Sequence, residues 1–365
     1  MNNVLNYWLN QLLKEWLFVA SATGLAATSI YLQRLPSYNI QDIEIVYILF
    51  VLFVTIKGLE KSGFFASIAP LLENKKWLPF HLIVITMVLS MFVTNDVALL
   101  LIVPLTLKLN TNRRDLLVIL ETLAANAGSA LTPFGNPQNL FIYWFYHLHP
   151  LEFIKVIVPF SVCFFVLLSI GSFFIKTEIL PNHESKKPLF KKVFLYLSFL
   201  IMFILSILKI LPLTVGLFII AFVLIFDRKC LKIDYILLGT FFCFFGFTDN
   251  MIQIIKITIE NPSQVFLLSA IFSQFISNVP SALLFSDFTH NWRALLWGVN
   301  VGGFGNLIGS LANLIAYRFI ILDQRESKSF VLKFHILGYI AFLLGCLLYF
   351  IIGKSILSHY HFYQK

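Results

Sequence analysis

The sequence predicts an all-α polytopic membrane protein with two inverted-topology repeats, each containing a re-entrant hairpin and a broken transmembrane helix. Three observations lead to this fold class. Of the 365 residues, 59% are hydrophobic and only 12% are charged, about half the charged share of an average soluble domain. Apolar runs close to the ~18 residues that span a bilayer recur along the whole chain. Two motifs rich in Asn and Gly also occur twice, in the same order.

The apolar runs leave no room for a soluble domain, so we expect a single membrane transporter unit over residues 1–365. We assign residues 16–175 to the first inverted repeat, 176–211 to a cytoplasmic linker and connecting helix, and 212–353 to the second inverted repeat. The predicted full crossings are residues 16–32, 42–57, 115–145, 151–175, 191–210, 212–227, 234–248, 292–318 and 333–353.

Two further apolar segments, 77–109 and 263–286, are each interrupted by a polar tip. The tip is Thr94-Asn95-Asp96 in the first segment and Ser277-Asn278-Val279-Pro280 in the second. Polar, helix-breaking backbone in mid-membrane is tolerated only where protein or a water-filled cavity surrounds it. Both segments are therefore predicted to be re-entrant hairpins.

Basic residues predict the orientation of the hairpins, because Lys and Arg concentrate in cytoplasmic loops. Lys75 and Lys76 precede the first hairpin, and Lys108, Arg113 and Arg114 follow it, whereas the stretches directly beside the second hairpin contain neither residue type. We interpret the net charge of +9 as setting topology and not as a surface for nucleic acid. The prediction is a multi-pass protein of the cell membrane with a cytoplasmic N-terminus and an external C-terminus.

Residues 124–143 match residues 298–317 when the chain is shifted by 174 positions. Chance would give about one or two identities over this length at average residue usage. Coincidence of Gly and Asn in two ordinary packed helices is the alternative, but the order of hairpin tip and broken span also matches. Repeats of opposite topology with broken helices are typical of secondary transporters, which bind substrate near the membrane midplane. The six identical pairs are Asn126/Asn300, Gly128/Gly302, Gly135/Gly309, Asn139/Asn313, Leu140/Leu314 and Tyr143/Tyr317.

The tips and breaks supply the chemistry of an ion or substrate site. Pro133 and Pro137 break the first span, whereas the second copy, 305–310, has no proline. The N-termini of half-helices suit an anion, and unwound carbonyl groups suit a cation such as Na⁺. The predicted substrate and ion site comprises Thr94, Asn95, Asp96, Asn126, Gly135, Asn136, Pro137, Asn139, Ser277, Asn278, Val279, Pro280, Asn300, Gly309, Ser310 and Asn313.

Asp96, Glu121 and Asp249 are the candidate proton or ion carriers, because an acidic residue inside an apolar segment is a functional hypothesis by default. Each also has a structural alternative. Asp96 suits the N-cap of the returning half-helix, Glu121 suits a buried pair with a basic group, and Asp249 suits an interfacial ion pair. We expect no metal site, no catalytic residue and no cofactor apart from a coupling ion, Na⁺ or H⁺.

Four motifs taken together resemble the ion transporter superfamily. This group includes arsenite permeases, citrate transporters, divalent-anion/sodium symporters and some sodium/proton antiporters. The resemblance covers roughly residues 40–320 and implies a scaffold part and a moving transport part, often in a homodimer. The motifs are Thr94-Asn95-Asp96-Val97-Ala98-Leu99-Leu100, Gly135-Asn136-Pro137-Gln138-Asn139-Leu140, Ser277-Asn278-Val279-Pro280 and Gly309-Ser310-Leu311-Ala312-Asn313-Leu314.

The hairpin tips relate this chain to particular branches of that superfamily. In the divalent-anion symporters each tip carries Ser-Asn-Thr, which contributes to the carboxylate and Na⁺ sites. Only the Ser/Thr-Asn pair carries over here, onto Thr94, Asn95, Ser277 and Asn278. Asp96 instead resembles the Asn-Asp tip of arsenite permease-like members. The chain is short for the superfamily and resembles a reduced member.

The predicted function is secondary active transport of a small anion, either an inorganic oxyanion or a carboxylate, coupled to Na⁺ or H⁺. Transport would proceed by alternating access, with the site between the two hairpin tips and the two broken helices. Na⁺/H⁺ antiport, arsenite efflux and a passive channel are the alternatives. A membrane enzyme is not expected, since the sequence shows neither a nucleophile with a base nor metal ligands at helical spacing. The expected partners are the anion, the lipid bilayer and a second copy in a homodimer, without nucleic acid.

Overall fold

The chain is helical almost throughout the part that the computed structural model describes. That part comprises residues 16–64, 77–111, 113–178, 189–255, 257–323 and 327–354. Lys75, Lys76, the segment 179–188 and both chain termini, whose positions were predicted above, lie outside it. Two short strands, β1 (Asn110–Thr111) and β2 (Thr177–Glu178), form one antiparallel pair. The all-α fold class is confirmed.

Fifteen α-helices follow one another in the described residues. They are α1 (Trp16–Leu32), α2 (Ile40–Lys61), α3 (Leu78–Val93), α4 (Asn95–Lys108), α5 (Arg114–Ser129), α6 (Pro137–Phe145), α7 (Pro150–Ser172), α8 (Phe190–Ile207), α9 (Val215–Phe226), α10 (Tyr235–Ile254), α11 (Pro262–Ile276), α12 (Asn278–Ser286), α13 (Trp292–Gly302), α14 (Leu311–Leu322) and α15 (Ser327–Leu348). Short 3₁₀ turns lie at Arg228–Leu231 and Leu307–Gly309, and α15 continues as a π-helical segment over Tyr349–Gly353.

The predicted hairpins and broken spans correspond to pairs of short helices. The segment 77–109 forms α3 and α4, and the segment 263–286 forms α11 and α12, with one residue between the helices of each pair. The span 115–145 is divided into α5 and α6, and the span 292–318 into α13 and α14. The predicted unbroken crossings are single helices whose ends lie within a few residues of the prediction.

Four of the described helical segments are long and apolar enough to cross a membrane. These are Pro150–Ser172, Phe190–Ile207, Tyr235–Ile254 and Ser329–Gly353. Several apolar helices are shorter, among them Leu78–Val93 and Pro262–Ile276. The last two are the leading halves of the hairpins, whose length is limited by the tip.

The chain folds into two compact units. The first unit contains the chain up to Gly58 together with Phe199–Thr258, and the second contains Leu59–Ser198 and the chain from Ile259 onwards. Residues from both predicted repeats therefore enter each unit. The boundary between the units runs across the predicted repeats and not between them.

Helix α1 packs against α10 in the first unit through small residues and a polar cluster. Gly24 lies against the ring of Phe247, where an added Cβ would approach within 3.1 Å. Asn250 donates to the hydroxyl groups of Thr28, at 3.1 Å, and Ser29, at 2.9 Å. These contacts fix the register of two largely apolar helices.

Helices α5 and α13, the first halves of the two broken spans, form the core of the second unit. In α5 every residue from Leu117 to Ser129 is buried, and in α13 every residue from Ala294 to Gly302 is buried. Burial around the whole circumference identifies a central helix. The indole of Trp297 is fully buried and donates to the carbonyl of Val156 at 2.9 Å. Polar side chains on these helices therefore lie inside the protein.

Candidate functional site

The two hairpin tips share an unusual backbone conformation. Thr94 has φ 78° and ψ 151°, and Ser277 has φ 75° and ψ 158°. A residue other than glycine in a sparsely populated region of positive φ costs about 1–3 kcal/mol and persists where the surroundings enforce it. The helices on either side of each tip pack against each other. The same strained joint thus occurs in both hairpins.

Asn136 and Asn139 organise the first break, between α5 and α6. The Asn136 side chain accepts from the backbone N–H of Asn139 at 2.9 Å and is the N-cap of α6, whose first residue is Pro137. The Asn139 amide donates to three carbonyl groups released by the break, on Ser129 (3.3 Å), Ala130 (3.0 Å) and Thr132 (3.3 Å). Buried carbonyl groups without partners would be costly, so Asn139 stabilises the irregular segment.

The second break, between α13 and α14, is organised in a related way without proline. Asn306 accepts from the backbone N–H groups of Ile308 and Gly309 at 2.9 and 2.8 Å. Asn313 donates to the carbonyl groups of Gly303 at 2.9 Å and Asn306 at 3.0 Å. The amide thus takes the role that Asn139 has in the first break.

Gln274, on α11 of the second hairpin, also supports this break. Its side chain donates to the Gly302 carbonyl at 2.7 Å and accepts from the Asn306 backbone N–H at 3.1 Å. Gly305 adopts φ +87°, which favours glycine, and an added Cβ there would lie 2.1 Å from Gln274 Oε1. A glutamine side chain and a glycine turn therefore hold the break that lacks the two prolines of the first copy.

Two asparagine pairs link the breaks to each other. Asn126 donates to Asn313 Oδ1 at 2.8 Å, and Asn300 donates to Asn139 Oδ1 at 2.8 Å. Asn126 corresponds to Asn300 and Asn139 to Asn313 at the offset of 174. The two hydrogen bonds are therefore equivalent, one donated by the first copy and the other by the second. Each pair joins one copy to the other. The two breaks therefore form a single hydrogen-bonded cluster inside the second unit.

Two further side chains of this cluster also correspond at the offset of 174. Asn136 donates to Asn300 Oδ1 at 3.4 Å, and Ser310, its equivalent 174 positions later, donates to Asn126 Oδ1 at 3.2 Å. We call the six side chains of these bonds the asparagine cluster: Asn126, Asn136, Asn139, Asn300, Ser310 and Asn313. All six are at most 4% exposed.

The hairpins contact the breaks through equivalent bonds in the two copies. The hairpin tips correspond at an offset of 183, which relates Asn95 to Asn278. Thr132 donates to the Met91 carbonyl at 2.7 Å, and Asn306 donates to the Gln274 carbonyl at 2.8 Å. The donors Thr132 and Asn306 correspond at the offset of 174, and the acceptor residues Met91 and Gln274 correspond at the offset of 183. Different side chains thus make equivalent bonds in the two halves. This agreement supports the predicted repeat, although the inverted orientation of the copies stays a prediction.

Both tips reach the breaks through an asparagine. Asn95 donates to Asn126 Oδ1 at 3.0 Å, and its backbone N–H donates to the Gly135 carbonyl at 3.2 Å. An added Cβ on Gly303 would lie 3.0 Å from Asn278 Nδ2, so the second tip lies against the second break. These contacts bring the predicted tips and breaks together within one unit.

Three of the four short helices at this place begin without a side-chain cap. Thr94, Ser277 and Ser310 are the N-cap residues of α4, α12 and α14, and none of their side chains accepts from the N–H groups of its helix. The first N–H groups of a helix have no partner within the helix. At α4 the backbone N–H groups of Asn95 and Asp96 already donate to the Gly135 carbonyl and to Asn95 Oδ1, so donors are presented mainly by the termini of α12 and α14. All three termini place a positive dipole end close to the asparagine cluster.

The acidic residues predicted as carriers occupy three different environments. Asp96 lies in the first turn of α4 at the tip; Thr94, and not Asp96, is the N-cap residue, so the capping alternative was wrong. Glu121 is fully buried on α5 and accepts from the Thr106 hydroxyl, and no basic group in the described part of the chain pairs with it, so its predicted alternative of a buried pair with a basic group was also wrong. Asp249 lies in the first unit.

Asp249 forms a local ion pair within that unit. It accepts from Arg34 and, at 2.8 Å, from the backbone N–H of Ser37. This is the ion-pair alternative for Asp249, and the residue lies in a different unit from the asparagine cluster.

Val279 and Pro280 lie in the first turn of α12, beside the second tip.

Comparison with known proteins agrees with this architecture. The sequence profile described as citrate transporter matches residues 17–291, most of the chain. The chain belongs to the citrate transporter family. This transporter is 38% identical over 301 residues to a protein named as an uncharacterized transporter from Methanocaldococcus jannaschii, covering 77% of this chain and 82% of that protein. It is 34% identical over 289 residues to the inner membrane protein YbiR of Escherichia coli strain K12, covering 72% and 76%.

Four residues that contact the candidate site or Glu121 were not predicted from the sequence. Thr132 and Asn306 occupy equivalent positions at the offset of 174 but differ in identity, and Gln274 corresponds to Met91 at the offset of 183. Thr106, the partner of Glu121, lies in an apolar run without a motif. The offset of 174 was the signal that could have identified Thr132 and Asn306, because both side chains donate to a hairpin carbonyl group. It could not have identified Gln274, whose counterpart Met91 has no side-chain donor.

Proposed function

We propose that this membrane transporter is a secondary active carrier of a small anion, coupled to an ion gradient. The observation that carries this proposal is the convergence of three uncapped helix N-termini on a buried cluster of neutral amide and hydroxyl groups. Helix N-termini with free N–H groups are ready-made anion sites; here α12 and α14 offer such groups, while α4, whose Asn95 and Asp96 N–H groups already have acceptors, adds the positive end of its dipole. Among the described residues, no Lys or Arg side chain forms part of the asparagine cluster, so the helix ends supply the positive potential.

The donors around the cluster suit a carboxylate or an oxyanion. The amides of Asn95 and Asn136 and the hydroxyl of Ser310 are short side chains held by hydrogen bonds to the other copy or to the adjacent break. The Ser310 hydroxyl and both N–H groups of the Asn136 amide already donate within the protein, so a bound anion would take the place of their present acceptors. The family description makes citrate the first anion to test.

Alternating access is the mechanism that this arrangement favours. Each hairpin turns on one strained residue, and each break is held by bonds to a hairpin as well as to the other copy. Movement of a tip relative to its break would exchange these bonds without unfolding a helix. In secondary transporters with broken helices, repeats or bundles move around a fixed site in the same way.

Exchange of labelled anion in proteoliposomes tests the proposal. We expect vesicles that contain the protein and are preloaded with unlabelled citrate, phosphate or arsenate to take up the matching labelled anion transiently. Vesicles without protein are the control. If the protein moves Na⁺ and H⁺ in opposite directions without any anion, it is an antiporter. If it moves none of these anions under a Na⁺ gradient or a pH gradient, the proposal is contradicted.

A further inference from the structure

Glu121 is a buried acidic side chain that the proposed anion site does not use. It is 0% exposed, one carboxyl oxygen accepts from the Thr106 hydroxyl, and the other oxygen is buried and has no hydrogen-bond partner among the described residues. Thr106 is also 0% exposed. A buried carboxylate is strongly disfavoured unless it is paired with a cation and fully hydrogen-bonded. One hydroxyl donor is too little to hold a charge at this position.

No basic group described in the structure reaches this carboxyl. Helix α5 packs against α3, α4, α7, α14 and α15. Asp115, at the start of α5, takes Lys333 as its partner, and Arg114 bonds to Asp323 at 3.4 Å and to the Leu109 carbonyl. None of the described titratable or charged groups on the packed helices pairs with Glu121: His81, Asp96, Lys108, Glu152, Lys155, Cys163, Tyr317, Arg318, Lys333, His335, Tyr339 and Cys346.

The position of Glu121 connects it to the anion site. It lies five residues before Asn126 on α5, about 7.5 Å along the axis at ~1.5 Å per residue. Its partner Thr106 is on α4, the helix that begins at the Thr94-Asn95 tip. The Glu121–Thr106 bond therefore joins the first hairpin to the first broken helix, and Asn95–Asn126 joins the same two helices at the site. A change of charge at Glu121 would alter the packing between them.

The breaks offer little to a sodium ion in comparison. Carbonyl groups of unwound segments are the usual cation ligands of such folds. Here those of Ser129, Ala130 and Thr132 already accept from Asn139, and those of Gly303 and Asn306 accept from Asn313. In each break an amide nitrogen therefore already donates to carbonyl groups that a cation would need as ligands.

We infer that Glu121 is the proton-binding residue through which this transporter is coupled to a pH gradient. The inference rests on the proposed function and names its coupling ion. A proton from one side of the membrane binds the free carboxyl oxygen, giving the neutral acid, and is released from it on the other side. The equivalent position in the second copy is Leu295, also 0% exposed, so the proton site belongs to the first copy only.

Infrared difference spectroscopy of the purified protein tests the proton site without a substrate. We expect wild-type protein to show the C=O stretching band of a buried protonated carboxyl group, and Glu121→Gln to lose it. Glu260→Gln, the same substitution at an exposed position, keeps the band, as does Asp96→Asn. Thermal melting of each variant shows that it is folded. A band that persists unchanged in folded Glu121→Gln would overturn the assignment.

Proton movement in proteoliposomes tests the coupling. With a pH-sensitive dye inside the vesicles, addition of citrate is expected to move protons in wild type and Glu260→Gln, and this movement is lost in Glu121→Gln. Anion movement accompanied by protons in Glu121→Gln as in wild type would overturn the inference while leaving the proposed function standing. Loss of the infrared band in a protein that moves no anion would support the proton site and reject the proposed function.

Discussion

Replacing Gly128 by Ala is expected to lower the stability of the protein strongly, because the added methyl group has no room. Its Cβ would lie 2.4 Å from the Met87 carbonyl oxygen and 2.4 Å from Ser90 Oγ, both on α3 of the first hairpin. A backbone atom cannot rotate away, so α3 and α5 must separate. Overpacking of a well-packed core typically costs about 1–3 kcal/mol, and here it also displaces the hairpin from the break.

The measurement is the yield of monodisperse protein and its melting temperature in detergent. Gly171→Ala is the matched control, because its Cβ would meet only Leu120, at 3.5 Å, and we expect a melting temperature close to that of wild type. Gly302→Ala, where an added Cβ would lie 2.5 Å from Ser273 Cβ, should resemble Gly128→Ala. Equal melting temperatures for Gly128→Ala and Gly171→Ala would contradict the close packing of hairpin and break.

Replacing Ser310 by Asp is expected to raise the KM for anion transport strongly, measured on variant protein whose melting curve in detergent shows that it is folded. Ser310 has φ −148° and ψ 144°, an extended N-cap conformation, but its hydroxyl donates to Asn126 and does not cap α14. Aspartate is a strong N-cap and favours the positive helix end. Its charge would then lie where the anion is proposed to bind. Two like charges about 4 Å apart repel by about 4 kcal/mol at an effective dielectric constant of ~20.

That repulsion corresponds to a KM raised by about a thousandfold for Ser310→Asp. Ser310→Ala is the matched variant, since it removes the hydroxyl bond to Asn126 without adding charge, and such a bond contributes about 0.5–1.5 kcal/mol. We therefore expect a much smaller rise in KM for the alanine variant. Equal KM values for the two variants in labelled-anion uptake would argue that the N-terminus of α14 does not face the substrate.

The sequence allowed the hairpins and breaks to be predicted because their polar residues interrupt apolar runs. Asn126, Asn139, Asn300 and Asn313 are identical between the copies, and they are the residues that bond across them. Equivalent positions in the two copies are harder to detect where the two residues make the same hydrogen bond but differ in identity. Thr132 and Asn306 both donate to a hairpin carbonyl group, yet one is a hydroxyl and the other an amide.

Other features depend on contacts between distant positions. Asp249 and its partner Arg34 are separated by 215 positions, so sequence spacing gave no indication of their pairing. The strained φ of Thr94 was not predicted either, because a β-branched residue disfavours positive φ and only tertiary packing can enforce it. The burial of Glu121 against Thr106 likewise follows from the packing of α4 on α5.

If both breaks contribute to one anion site, substitutions at equivalent positions of the two copies should weaken anion binding alike. Asn136 and Ser310 each bond to an asparagine of the other copy. Asn261→Ala is the control for loss of an N-cap, since Asn261 caps α11 at the start of the second hairpin. The measurement is the KM for uptake of one labelled anion by folded Asn136→Ala, Ser310→Ala and Asn261→Ala in proteoliposomes. We predict a raised KM for the first two and an unchanged KM for the third, whereas an unchanged KM for either Asn136→Ala or Ser310→Ala would contradict a site shared by the two copies.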